Sequence, residues 1–367
     1  MKKLLINNLF LFIPLLILNV ISLFNMINAK LINSTYNLAF YKQLLWICLG
    51  YLIIFCINKF KLTKKLFDFS NYFYIFSVFL LILVLFVGED INGAKCWLNI
   101  LGFSFQPSEL VKITLTLSLI NLFNNSKLKT IRDEFILIIK YLFLTIIPSI
   151  LVFLEPDTGA IINYLIIFII ILFSSKLNKW WYISFFSIFS IFVISFFIMY
   201  FFYQDFLINI LGTSIFYRMD RIINFTNGNS YQLENALITI GASSFFGRGL
   251  NEILLYIPEA PTDFIFAFSI GNYGIFNATL ILLNYLIVNI FLISKTNKIK
   301  NIKNKMFINS YLGIFLFHQI YNIGMNIGLL PIMGIPLPFL SYGGTSTLIN
   351  FIYLGIIINL LDKKYYR

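Results

Sequence analysis

Ten apolar runs follow one another along the chain, separated by short stretches rich in Lys, Asn, Pro and Gly. Their spacing predicts spans near 8–27, 40–57, 72–88, 108–124, 136–154, 158–175, 180–203, 264–294, 306–328 and 346–361. The first run follows Met1, Lys2 and Lys3 and is read as a retained span, because its length and the lack of a small-residue cleavage site do not suit a signal peptide. One long connection, residues 204–263, interrupts the series between spans 7 and 8. It holds apolar residues such as Ala236, Leu237, Ile238 and Ile240, and is expected to fold back onto the membrane surface or into a cavity. The expectation is an all-α, polytopic membrane protein forming one unit over residues 1–367.

Composition removes the soluble alternatives. Of the 367 residues, 59% are hydrophobic and 11% charged, against roughly 45–50% and 25% in a soluble domain. Three cysteines and one histidine, His318, do not suit a disulfide framework or a histidine-rich metal centre. The net charge of +12 invites a nucleic-acid reading, but the charges flank the apolar runs. Nineteen of the 27 Lys and Arg residues lie at the two termini and in the connections sharing their side, and six in the opposite loops. The positive-inside rule then places both termini in the cytoplasm and explains the charge without nucleic acid. The 15 acidic residues divide the other way, eleven at the outer face and four inside. Acidic residues contribute little to topology, so an acidic outer-face site is the expected cause.

Four outer-face stretches hold most of the polar residues that meet apolar helices. The first runs from Gly93 through Trp97 to Gln106, Pro107, Ser108, Glu109 and Lys112. Ser108 suits an N-cap, and Glu109 and Lys112, three residues apart, can pair on one helix face. A cap plus a structural ion pair explains them, but ionisable groups at membrane depth point first to function. The second is the turn Glu155, Pro156, Asp157, Thr158, Gly159, in which Asp157 can cap the next helix. The third runs from Ile257 to Phe266, with Thr262 as a possible N-cap and Asp263 in the first turn of a span. The fourth runs from Asn322 to Ser346, where Pro336, Pro338, Gly343 and Gly344 forbid a regular helix around Ser341. Broken backbone at membrane depth is tolerated where protein buries it or water reaches it, so the four stretches suggest a shared cavity. Gly247, Arg248 and Gly249 only loosely resemble a phosphate-binding turn, and His318 reads as a helix–helix hydrogen-bonding residue.

These motifs resemble those of the SEDS family (shape, elongation, division and sporulation), which includes RodA, FtsW and SpoVE. The resemblance rests on Gly93 to Trp97, Gln106 to Glu109, Pro156-Asp157-x-Gly159, Tyr231-Gln232, Gly247 and Gly249, Pro258 to Phe266 and Pro336 to Gly344, in the family's order. It implies a peptidoglycan glycosyltransferase polymerising lipid II at the outer face of the bacterial cytoplasmic membrane, beside a class B penicillin-binding protein and the membrane proteins of an elongation or division complex. By the same resemblance Asp263 matches the essential aspartate, and Glu109 and Lys112 the family's pair on the fourth span, giving a catalytic set of Asp263, Glu109 and Lys112. Asp157, Arg248, Gln106, Trp97 and Ser341 are the candidate substrate-binding residues. The run from Gly328 to Pro338 looks like the RodA branch, and Pro258-Glu259-Ala260 like the division branch; the RodA branch is the expectation. Departures from the family pattern fall at Cys96, Glu155, Pro261, Gly271 and Asn272. In this reading Asp263 is the general base. The leaving pyrophosphate needs positive charge from Lys112, Arg248 or a divalent cation, Mg or Mn, the one cofactor candidate. A precursor flippase or other transporter and an inactive scaffold for the transpeptidase are the alternatives from other classes.

Overall fold

The computed structural model describes residues 8–91, 94–100, 102–204, 206, 208, 231–253 and 255–361. Gly93, Asp205, Asp220 and most of the expected loop between 204 and 231 therefore lie outside the described residues.

Ten long helices among the described residues match the ten predicted spans: α1 (Leu9–Ala29), α2 (Ala39–Lys59), α4 (Ser70–Val87), α5 (Pro107–Asn125), α6 (Ile131–Leu154), α7 (Thr158–Ser174), α8 (Lys179–Phe202), α10 (Ile265–Thr296), α11 (Ile302–Asn326) and α12 (Gly344–Leu360). Two shorter helices, α3 (Thr63–Asp68) and α9 (Tyr231–Gly241), complete the set. Helices α1, α4, α6, α8 and α10, and α2 together with the turn before it, are long and apolar enough to cross a membrane; α7 and α12 are apolar but shorter. Helices α5 and α11 are more polar, and α5 shows why this is tolerated. It is buried at almost every position from Pro107 to Ile120, so its hydroxyls meet protein. Thr114 shares a 2.7 Å hydrogen bond with Ser77, Thr116 one of 3.0 Å with Tyr353, and Ser118 donates to the Ser70 carbonyl at 3.1 Å. Around it one continuous apolar core runs from Leu11 of α1 to Leu361 beyond α12.

Among the described residues the regular structure is helical apart from a small outer sheet, which the sequence reading did not anticipate. Strands β1 (Glu89–Ile91), β2 (Ala94–Ile100) and β3 (Phe103–Phe105) pair antiparallel in that order, with Leu98 opposite Phe105 and Asn99 opposite Ser104. Gly102 turns the second hairpin at φ 82°, its N–H held by the Asn99 side chain at 2.9 Å. The sheet delivers the chain to Pro107, which opens α5.

Helix α9 packs over α10 with Asn235, Ala236 and Thr239 buried, the folding-back expected of the long connection. Beyond it, residues 244–249 repair a break in α10. Gly274 there has φ 75° and ψ −177°, which frees backbone donors that a regular helix would satisfy. The carbonyls of Ser244 and Phe245 accept from Ile275 and Phe276 at 3.3 and 3.1 Å, and Gly249 donates to the Asn272 carbonyl at 2.7 Å. A Cβ at Gly247 would collide with the Asn272 backbone. The Gly247–Gly249 turn is thus a backbone patch on α10.

Candidate active site

The four polar stretches converge on one cavity of about 610 Å³ at the outer end of the bundle. The Asp157 turn and the start of α5 form one wall, and the Asp263 turn with the broken segment 334–343 forms another. Trp97 and Phe103 of the sheet close it from outside, and Tyr36, Lys42 and Trp46 line it from the start of α2.

The first wall is organised by Asp157. It caps α7, accepting from the Ala160 N–H at 3.1 Å, and its other oxygen accepts from the Gln106 amide at 2.9 Å and the Ser108 hydroxyl at 3.1 Å. Burial pushes its carboxyl up, while the bonds from Ala160 and Ser108 oppose that rise. Gln106, not Ser108, is the N-cap of α5, because Pro107 occupies the first helical position; Ser108 instead reaches across to Asp157. One turn deeper, Lys112 donates to Glu109 at 2.7 Å, the one ion pair among the described residues. Glu109 faces the cavity, and its second oxygen, Oε2, is buried without a partner. Lys112 sits behind it, 2% exposed and off the cavity wall. The adjacent Glu155 is fully buried with neither carboxyl oxygen bonded. Burial, and Asp157 beside it, push it up to about 8.

The second wall presents Asp263. The helix begins at Ile265 with Phe264 as N-cap, so Asp263 precedes α10 and does not lie in its first turn as the sequence suggested. A tight turn at Glu259, φ 55°, places it: the Glu259 carbonyl accepts from the N–H groups of Thr262, Asp263 and Phe264 at 3.2, 3.0 and 3.2 Å. Asn322 and Asn326 of α11 grip the Asp263 carbonyl at 2.8 and 3.1 Å. Its carboxylate is left without a hydrogen-bond partner, beside Gly334, where an added Cβ would stand 3.5 Å from Oδ2. Burial, with the Glu259 carboxylate next, lifts Asp263 from the usual carboxylate range to about 7. Glu259 is itself held by hydroxyls from Tyr36 at 3.1 Å and Thr262 at 3.2 Å.

His318 joins the two walls. Its Nδ1 lies 3.1 Å from the Pro336 carbonyl, and its Nε2 lies 3.0 Å from Oδ1 of Asn163 on α7. Ser341 stands behind the second wall, donating to the Thr262 carbonyl at 2.6 Å and accepting from the Leu337 N–H at 2.8 Å.

Of the residues expected from sequence, Asp263, Glu109, Asp157, Gln106 and Trp97 share the cavity, and Lys112 backs it. Ser341 does not face it; its hydroxyl ties the Asp263 turn, through Thr262, to Leu337 of the broken segment. Arg248 is exposed and apart, because its turn packs on the α10 break. Tyr36, Lys42 and Trp46 went unnoticed, since aromatic and basic residues at the start of a span read as interface anchors. Among the described residues there is no group of three or more His, Cys, Asp or Glu side chains that could hold a metal ion.

The model of the cell cycle protein family FtsW/RodA/SpoVE matches residues 2–366. A probable peptidoglycan glycosyltransferase FtsW from Buchnera aphidicola subsp. Schizaphis graminum is 33% identical over 303 residues, covering 79% of this chain and 81% of that protein. Another so named, from Coxiella burnetii, is 31% identical over 335 residues, covering 88% and 86%. Among solved structures, a chain from a peptidoglycan synthase complex that coordinates polymerization and crosslinking superposes with a TM-score of 0.76 at 22% identity, covering 96% of this chain and 98% of that one. The Thermus thermophilus rod shape determining protein RodA superposes with a TM-score of 0.65 at 22% identity over 96% and 97%. With the family model spanning nearly the whole chain and these relatives aligned through most of their own lengths, the chain belongs to the FtsW/RodA/SpoVE, or SEDS, family of multi-pass membrane proteins.

Proposed function

We propose that this chain is a peptidoglycan glycosyltransferase that polymerises lipid II at the outer face of the bacterial cytoplasmic membrane and acts alongside a class B penicillin-binding protein. The observation that carries this reading is the Asp263 carboxylate, held rigidly through its backbone yet unbonded at its oxygens, on the wall of an outer-face cavity. The placement of the polar groups at the outer end favours surface chemistry over transport, for which sites lie nearer the midplane.

The reaction joins two glycans. A hydroxyl oxygen of one attacks the anomeric carbon of the other, the bond from that carbon to the diphosphate oxygen breaks, and its electron pair leaves with the polyprenyl diphosphate. Asp263 takes the hydroxyl proton. A base needs a free carboxylate with a pKa near the working pH, and burial beside Glu259 provides both here. Glu109 and Asp157 on the same wall offer acceptors to sugar hydroxyl and amide donors. No step is assigned to a metal.

The sequence favoured the elongation branch, whereas the relatives at 31–33% identity bear the division protein's name. We therefore place the chain in the division branch, the RodA structures at 22% identity supporting the fold alone. Depletion in the native cell distinguishes the two: filaments without septa are expected, and rounded cells that still divide would return the chain to elongation. For the activity, purified chain with its cognate transpeptidase should convert lipid II to glycan polymer, and no polymer from the paired complex would refute the enzyme reading.

A further inference from the structure

A diphosphate leaving group entering this cavity meets a wall dominated by carboxylates: Glu109, Asp157, Glu259 and Asp263. Two of the cations expected from sequence do not reach it. Lys112 is turned to Glu109 and lies off the wall, and Arg248 is exposed elsewhere. Among the described residues the one lysine or arginine on the wall is Lys42, half-buried in the first turn of α2 and without an ion pair.

Lys42 is held against a second source of positive potential. Its neighbour Gln43 is fully buried, donates to the Ser341 carbonyl at 3.3 Å and accepts from the Gly343 N–H at 3.5 Å. These bonds fix the start of α2 against the start of α12. Gly343, Gly344, Thr345 and Ser346 all line the cavity, and no side chain caps α12. The first N–H groups of a helix lack intrahelical partners and favour an anion. Trp46 packs so closely beneath Gly344 that a Cβ there would stand 2.6 Å from the indole, so the backbone itself is presented at that point. Elsewhere the wall carries the carboxylates of Glu109, Asp157, Glu259 and Asp263. The cavity is thus divided into a cationic corner at Lys42 and α12 and an acceptor-lined remainder.

Resting on the glycosyltransferase reading of the same cavity, we propose that Lys42 and the start of α12 form the subsite for the diphosphate of a polyprenyl-diphosphate sugar. Lys42 neutralises the charge that builds on the bridging oxygen as the glycosidic bond to diphosphate breaks, and the donor is oriented with its sugar toward Asp263 and Glu109.

The test is binding of farnesyl diphosphate to the full chain in phosphatidylcholine nanodiscs without divalent cation, alongside polymerisation of lipid II. The wild type should bind it with an affinity that falls as salt rises, and farnesol should not compete. Lys42→Gln should weaken binding by at least roughly tenfold, the scale of one charge-assisted hydrogen bond, and Lys42→Arg should restore most of it. The control Lys30→Gln, on an exposed outer-face residue off the wall, should change nothing. Equal binding by wild type and Lys42→Gln, or no binding by the wild type, overturns the subsite. The two readings separate cleanly: Lys42-dependent binding in a chain that makes no polymer keeps the subsite and removes the glycosyltransferase, and polymerisation unaffected by Lys42→Gln does the reverse.

Discussion

Replacing Glu259 with Gln should move the acid limit of polymerisation to lower pH while leaving the plateau rate near the wild-type value. Asp263 must be ionised to accept a proton, and burial with the Glu259 carboxylate brings it to about 7. Activity should therefore fall as pH drops through 7, reaching about one tenth of the plateau at pH 6 and about one hundredth at pH 5. Glu259 and Asp263 are four residues apart on one turn, joined by the bond from the Asp263 N–H to the Glu259 carbonyl at 3.0 Å. A carboxylate charge on the same turn, at an effective protein dielectric of about 20, is worth on the order of 2 kcal/mol, or roughly one to two pH units. The Gln side chain keeps an oxygen for Tyr36 and Thr262, so the turn should survive. Because burial is the larger cause and is untouched, the limit should shift part of the way toward the ordinary carboxylate range and stop there. The assay is initial-rate polymerisation of fluorescent lipid II from pH 5 to 9, with the transpeptidase present and thermal unfolding followed at each pH. A wild-type limit near 4, or a limit that Glu259→Gln leaves in place, would refute the reasoning.

Three further outcomes concern stability. Asp263 binds its proton more tightly folded than unfolded, so the native state gains on acidification and loses that gain as pH rises through about 7. Asp263→Asn should then unfold at higher temperature than wild type at pH 8, by about 1–3 kcal/mol, with the difference shrinking toward pH 4; a destabilised variant at pH 8 contradicts the stored cost. Glu155 behaves alike with its folded value near 8, so Glu155→Gln should match wild type near pH 4 and increasingly exceed it toward pH 9 in thermal unfolding, and a variant weaker at both would show an unseen partner. At the α2–α12 contact a Cβ on Gly50 would overlap the fully buried Phe351 ring. Gly50→Ala should thus cost about 1–3 kcal/mol despite its better helix propensity, and a rise in unfolding temperature would show that the ring can withdraw.

Most of the ten spans were legible because they are long apolar runs, which carry the strongest local signal. The gathering of Asp263, Glu109, Asp157, Gln106 and Trp97 was legible too, since the alternation of spans puts all of them at one end of the bundle. What escaped depends on contacts between distant segments. Residues 89–105 show no clean alternation, and their sheet is visible only once β2 pairs on both sides. Arg248 looked like a phosphate ligand until the break at Gly274 claimed its turn. Ser341 bears a motif's mark yet spends its hydroxyl on Thr262 and Leu337. Lys42 carries no local signal of its own; Gln43 and its bonds to the Ser341–Gly343 segment bring it to the cavity.

Asp263 stands at the centre of all this, and one comparison tests it most directly: lipid II polymerisation by the chain with its transpeptidase partner, wild type against Asp263→Asn, at pH 8 and at matched amounts of folded protein. Polymer from the wild type and at least a hundredfold less from Asp263→Asn, with lipid II still bound, is the expected result. Comparable polymer from both would contradict the assignment of Asp263 as the base.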